Sequence, residues 1–163
     1  MCEVGVRDGY FFKTILSGEF VRSAWAVDIW DDYFVSSQND IGTPRERVRE
    51  AYERFVETYK KDKRVKVLKM DSAVAHEHIN EELDFVYIDG DHTYFAVKRD
   101  LNNFWDKLRV GGVLAGHDYE NLYFRGHEFR VKTAVDEFVA EHNLSLHVTN
   151  EPRFKSFFIV KTT

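Results

Sequence analysis

At 163 residues the chain is long enough for one domain with a substantial buried core. Its 44% hydrophobic and 15% aromatic content excludes a disordered chain, and a formal net charge of −5 argues against nucleic-acid binding, which needs a basic face. A single cysteine, Cys2, excludes an internal disulfide framework and fits a reducing, cytoplasmic setting. No apolar run approaches the roughly 20 residues that span a bilayer, and no signal peptide precedes the first strand, so no membrane partner is expected.

That first strand, "MCEVGV", begins at Met1, and the expectation is a single domain over residues 1–163 without an N-terminal extension. A short helix from Asp8 to Ser17 leads to a second strand, "AWAVDI". The clearest helix is "TPRERVREAYERFVETYKK". Thr43 caps it, Pro44 takes its first position, Glu46 completes a capping box, and Val48, Tyr52, Phe55 and Tyr59 form its apolar stripe. The basic run Lys60 to Arg64 reads as a helix C-terminus meeting its dipole. "RVKVLKM" is a third strand, "SAVAHEHINEEL" a helix and "DFVYID" a fourth strand. A helix from about Thr93 to Leu108 buries Tyr94, Val97, Leu101, Phe104 and Leu108. Gly111 and Gly112 turn the chain into the fifth strand, "VLAGHD". After a loop, "VKTAVDEFVAEH" is helical, and "LSLHVT" and "SFFIVKT" are the last strands.

Strands alternating with helices predict an α/β fold: a doubly wound, mostly parallel, seven-stranded Rossmann-like sheet with helices on both faces. Only "NEPRFK" separates the final two strands. That is too short for a crossover, so the last strand runs antiparallel. Ligands of such sheets sit at the carboxyl ends of the strands, where Asp28, Asp71, Asp89, His117 and Asp118 fall. A dinucleotide fingerprint is missing, because Arg7 and Tyr10 occupy glycine positions of G-x-G-x-x-G. The spacing is instead E-x-G-x-x-x-G, from Glu3, Gly5 and Gly9. Asp28 ends the second strand, where a carboxylate accepts both hydroxyls of a ribose. These features describe a nucleoside site without a pyrophosphate cradle. Asp91 and His92 follow Asp89 in "IDGDHTY". Asp91 reads equally as a helix cap, whereas His92 is a candidate general base, since an unperturbed imidazole titrates near neutrality.

With "YIDGDHTY", "GGVLAGHDY", the glycine spacing and Asp28, nearly the whole chain resembles a class I S-adenosylmethionine-dependent methyltransferase. It is most similar to the small-molecule and sugar O-methyltransferase subgroup. The resemblance implies that Glu3, Gly5 and Gly9 shape the methionine end of an S-adenosylmethionine pocket. It implies that Asp28 holds the ribose, that Ile29 or Trp30 lies against the adenine, and that Asp71 and Ser72 contact the adenine edge. Asp89 would border both the cofactor and a divalent metal bound by Asp89, His117 and Asp118. With His117 in the set, the metal is magnesium or a softer divalent ion. The metal would activate the acceptor hydroxyl, or His92 would take its proton as a base. Asp89, His92 and His117 are therefore the candidate catalytic residues. The expected reaction is O-methylation of a small molecule or sugar, and the alternative is a non-catalytic nucleoside-binding or scaffolding module. An uncovered apolar edge beside the first strand leads to the expectation of a homodimer.

Overall fold

The structure is a computed structural model that describes residues 1–30, 45–124 and 127–162. In chain order the elements are β1 (Cys2–Val4), α1 (Tyr10–Leu16), β2 (Ala24–Asp28), α2 (Arg45–Tyr59), β3 (Val65–Lys69) and α3 (Ser72–Ala75). A single 3-10 turn, His76–His78, leads to β4 (Leu83–Ile88), α4 (Tyr94–Trp105) and β5 (Leu108–Gly116). Then come β6 (Asn121–Phe124), β7 (His127–Arg130), α5 (Val131–Glu141), β8 (Leu146–Val148) and β9 (Phe157–Val160). A seven-stranded sheet runs in the order β3-β2-β1-β4-β5-β9-β8. Its pairings are parallel from β3 to β5, and β9 lies antiparallel to both β5 and β8. This is the expected doubly wound sheet with its last strand reversed.

Side chains alternate across a strand, and β2 shows the consequence. Trp25 and Val27 join one core cluster with Val97, Leu101 and Phe104 of α4 and Val135 and Phe138 of α5. Ala24 and Ala26 join the other, with Phe12 of α1 and Val48 and Phe55 of α2. The two clusters fill the two faces of the sheet. Fully buried rings such as Phe12, Phe104 and Phe138 each contribute on the order of 2–3 kcal/mol from lost apolar exposure. Among the described residues no helix is long and apolar enough to cross a membrane.

Four local readings differ from the structure or lie outside it. Thr43 and Pro44 lie outside the described residues, although Val48 and Phe55 are buried and Tyr52 and Tyr59 pack against them, as the stripe requires. The helix expected over "SAVAHEHINEEL" stops at Ala75, because Ile79 is fully buried and reaches the core in an extended conformation. β5 starts at Leu108 rather than after the glycine pair, with a register shift against β4 and Gly111 at φ 79° absorbing the irregularity. Finally, the stretch read as a loop after Tyr119 contains an antiparallel hairpin, β6 paired with β7, in which Leu122 faces Phe129.

Candidate active site

The carboxyl ends of β1 to β5 open into one cleft of about 1530 Å³. Gly5, just past β1, has φ +87°, and a Cβ there would stand 2.0 Å from the Asp89 carbonyl oxygen. The glycine is therefore needed for the approach of the neighbouring chain, whose Asp89 amide donates to the Val4 carbonyl at 2.8 Å. Gly9, also left-handed at φ +76°, precedes α1, and a Cβ there would meet the Phe55 ring at 2.7 Å. Both positions set the backbone that carries the polar groups.

Glu3 is 2% exposed, and its Oε2 has no hydrogen-bond partner. Burial, with the charges of Asp89 and Asp28 adding to it, pushes its carboxyl up to about 9. Asp28 braces two loops: Oδ2 accepts from the Arg7 amide and Oδ1 from the Trp30 amide, both at 2.8 Å. Burial raises its pKa, opposed by those backbone donors. Trp30, expected against an adenine, is 2% exposed, packs on Tyr52 and Phe55, and donates from Nε1 to the Arg7 carbonyl at 3.0 Å. Its indole serves mainly as the wall that fixes the β1–α1 turn. Its neighbour Ile29 lines the cleft, only partly buried.

Asp71 and Ser72 stand at the end of β3, where Asp71 caps α3 through Ala73 N at 2.8 Å. Sequence reasoning missed their partners on α4. Arg99 Nη2 reaches Ser72 Oγ at 2.9 Å and Asp71 Oδ1 at 3.3 Å, while Arg99 Nε lies 3.1 Å from Asp100 Oδ1. Ser72 Oγ donates to Asp100 Oδ2 at 2.8 Å. Asp100 is 1% exposed, and burial pushes its carboxyl up to about 6 against the pull of Arg99 and Ser72. A buried carboxylate beside an arginine, at "RD" inside a helix, was the available signal.

Across the cleft, Asp89, His92 and Asp118 bring three ligand atoms within 4.8 Å of one another. His92 Nε2 lies 2.9 Å from Asp118 Oδ2 and 3.8 Å from Asp89 Oδ1. Despite that short separation, the buried Nε2 has no formed hydrogen-bond partner. Burial lowers the imidazole pKa, but the two carboxylates outweigh it and raise it to about 9. Burial likewise opposes charge on Asp118, yet His117 and His92 hold its carboxyl well below the usual range. Burial and the Asp118 charge raise Asp89, with His92 and His117 opposing. His117, expected as the third ligand, is absent from the converging set. Its Nδ1 lies 3.3 Å from Asp118 Oδ1, half-exposed, and that contact raises its pKa against partial burial. Asp91 accepts from the Thr93 amide at 2.8 Å, a local turn contact. His92 is held by the hairpin: its ring stacks on Phe129 at 4.4 Å and its carbonyl accepts from the Arg130 amide at 2.9 Å.

Backbone strain gathers here as well. Arg7, Trp30, Asp118 and Phe154 have φ of 50°, 37°, 54° and 53°, and all four line the cleft. Such conformations cost on the order of 1 kcal/mol or more each and persist where surroundings impose them, commonly at working sites.

Residues 2–119 match a protein family described as a methyltransferase domain. The chain belongs to the methyltransferase-domain family. The matched stretch carries every polar cleft residue named above, whereas β6, β7 and everything after them lie beyond it. Among solved structures, the domain is similar to an O-methyltransferase family protein from Burkholderia thailandensis, with TM-score 0.70 at 10% identity, over 99% of this chain. It spans 50% of that protein's length. An rRNA methylase from Streptococcus thermophilus gives TM-score 0.66 at 12% identity, covering 99% of this chain and 86% of that one. The O-methyltransferase NovP gives 0.64 at 17%, covering 100% and 72%. At these identities the likeness is one of fold. Among curated proteins no sequence match is found.

Proposed function

We propose that this methyltransferase domain uses S-adenosylmethionine to methylate a hydroxyl of a small molecule, with a divalent cation held by Asp89, His92 and Asp118. The observation that carries the reading is the convergence of those three side chains at the ends of β4 and β5, across the cleft from Glu3 and Asp28. The residues present fit the cofactor. Glu3 Oε2 is a buried acceptor without a donor, suited to the cationic methionine end. The Asp28 carboxylate keeps lone-pair capacity beyond its backbone donors from Trp30, Arg7 and Val6, enough for a ribose hydroxyl. Asp71 and Ser72 stand where an adenine edge would follow. Bound S-adenosylmethionine supplies the methyl group: the acceptor oxygen forms the new O–C bond, the C–S electrons remain on sulfur to give S-adenosylhomocysteine, and the hydroxyl proton is released.

Two carboxylates and an imidazole also suit a divalent ion, and the unaligned Nε2 of His92 is a ligand atom without a donor's partner. A cation there would supply Lewis acidity that lowers the hydroxyl's pKa. With its Nε2 given to the cation, His92 would have no lone pair there to act as a base. His117 is better placed to receive the acceptor's proton. It is half-exposed at the cleft mouth, backed by Asp118, and can pass the proton to water. The test is transfer of labelled methyl to a panel of hydroxylated acceptors, with and without excess EDTA. The reading expects loss of turnover in EDTA and in Asp89→Asn, with cofactor affinity changed no more than a few-fold. Full activity in EDTA combined with loss in His92→Ala would replace the metal by an acid–base site. Cofactor binding without turnover of any acceptor would leave a binding module.

A further inference from the structure

On the reading that Asp89, His92 and Asp118 hold a cation, the imidazole decides which cation. His92 is held from two directions. Its ring lies on Phe129, with centroids 4.4 Å apart and planes 15° from parallel. Its carbonyl accepts from the Arg130 amide at 2.9 Å, so ring and main chain are both tied to the β6–β7 hairpin. Turning the ring out of the site would break the stack and uncover Phe129, which is 3% exposed. Its Nε2 is buried without a hydrogen-bond partner, 2.9 Å from Asp118 Oδ2 and 3.8 Å from Asp89 Oδ1. An ion between the two carboxylates therefore meets a nitrogen.

Asp118 is constrained as well. Its backbone has φ 54°, its Oδ1 lies 3.3 Å from His117 Nδ1, and its Oδ2 faces His92. Gripping an ion with both oxygens would compete with the His117 contact, so Asp118 is set to offer one. The donors are then one imidazole nitrogen and one oxygen from each carboxylate, all within 4.8 Å of one another. Magnesium is a hard ion that takes oxygen ligands and gives up its water reluctantly. Imidazole suits the later first-row ions, and affinity for a mixed nitrogen and oxygen site rises from manganese through cobalt to nickel. We infer that the site selects a first-row transition ion, cobalt, nickel or zinc, over magnesium, and that His92 is the residue that sets this selectivity.

Calorimetric titrations of Co2+ and of Mg2+ into the full chain test this, each repeated with His92→Asp, His92→Gln and Asp118→Asn, and with a thermal melt to show that each variant is folded. Expected is one Co2+ bound per chain, at least about tenfold more tightly than Mg2+. The ratio of the two affinities should fall about tenfold or more in His92→Asp, which puts an oxygen donor in place of the nitrogen. His92→Gln keeps a polar side chain of similar bulk and should lower the ratio too, should the aspartate variant fail to fold. Asp118→Asn should weaken both ions. Mg2+ bound as tightly as Co2+ in the parent, or a ratio unchanged in the folded His92 variants, would overturn the inference and leave a cation site standing. Binding of neither ion to the parent would remove the cation site itself, and this inference with it.

Discussion

Replacing Glu3 by glutamine should stabilise the ligand-free protein at neutral and alkaline pH, although it removes a polar group from the cleft. Glu3 is buried with Oε2 unpartnered, and its carboxyl is raised from 4.5 to about 9. An acid whose folded pKa is raised favours the folded state below its unfolded pKa, and that advantage fades as pH climbs toward the folded value. Each pH unit is worth about 1.4 kcal/mol. The penalty on folding therefore grows from near zero at about pH 4.5 to about 4 kcal/mol at about pH 7.5. Glutamine has no charge to suppress, so the difference between variant and parent should grow with pH by that amount. His92, raised to about 9, has the same sign: its stabilisation is complete below about 6.5 and is lost as pH rises through about 9. It is present in both proteins and cancels in the difference. Urea unfolding of the parent and Glu3→Gln at about pH 5 and about pH 7.5 measures the effect directly. Parallel stability against pH in the two proteins would refute the reasoning, because it would mean that Glu3 ionises freely in the fold.

Gly5→Ala should cost about 3 kcal/mol or more, since its Cβ would lie 2.0 Å from the Asp89 carbonyl at a positive φ; a thermal melt within a few degrees of the parent would contradict the packing described. Arg99→Met should cost about 2 kcal/mol by urea unfolding, because it leaves Asp100, 1% exposed, without its cationic neighbour. An unchanged midpoint would show that Ser72 alone satisfies Asp100.

Much of this was legible in the sequence, because the strands are short apolar runs bounded by turn residues and the helices carry clean stripes. The reversed last strand followed from a six-residue gap, and Asp28, Asp71, Asp89 and Asp118 followed from lying at strand ends. The hairpin was harder. Asn121 to Phe124 and His127 to Arg130 are four-residue strands that pair only with each other, and so short a run carries little periodicity. Missing the hairpin also hid what holds His92. Its ring is held by Phe129, a partner 37 residues away by numbering (129 − 92), and the left-handed backbone at Asp118 belongs to the same local arrangement. Sequence spacing alone favoured the adjacent pair His117 and Asp118. Trp30 follows Asp28 and lines the cleft, but its packing on Tyr52 and Phe55 depends on α2, distant in sequence, and was not legible from spacing.

The central claim is that the cleft between Glu3, Asp28 and Asp71 holds S-adenosylmethionine. Calorimetric titration of that compound into the parent and Asp28→Ala, with NADH as a control, tests it most directly. The account predicts micromolar binding, on the order of 8 kcal/mol, weakened about tenfold or more in Asp28→Ala, and no binding of NADH. Tight NADH binding with no heat from S-adenosylmethionine would contradict it.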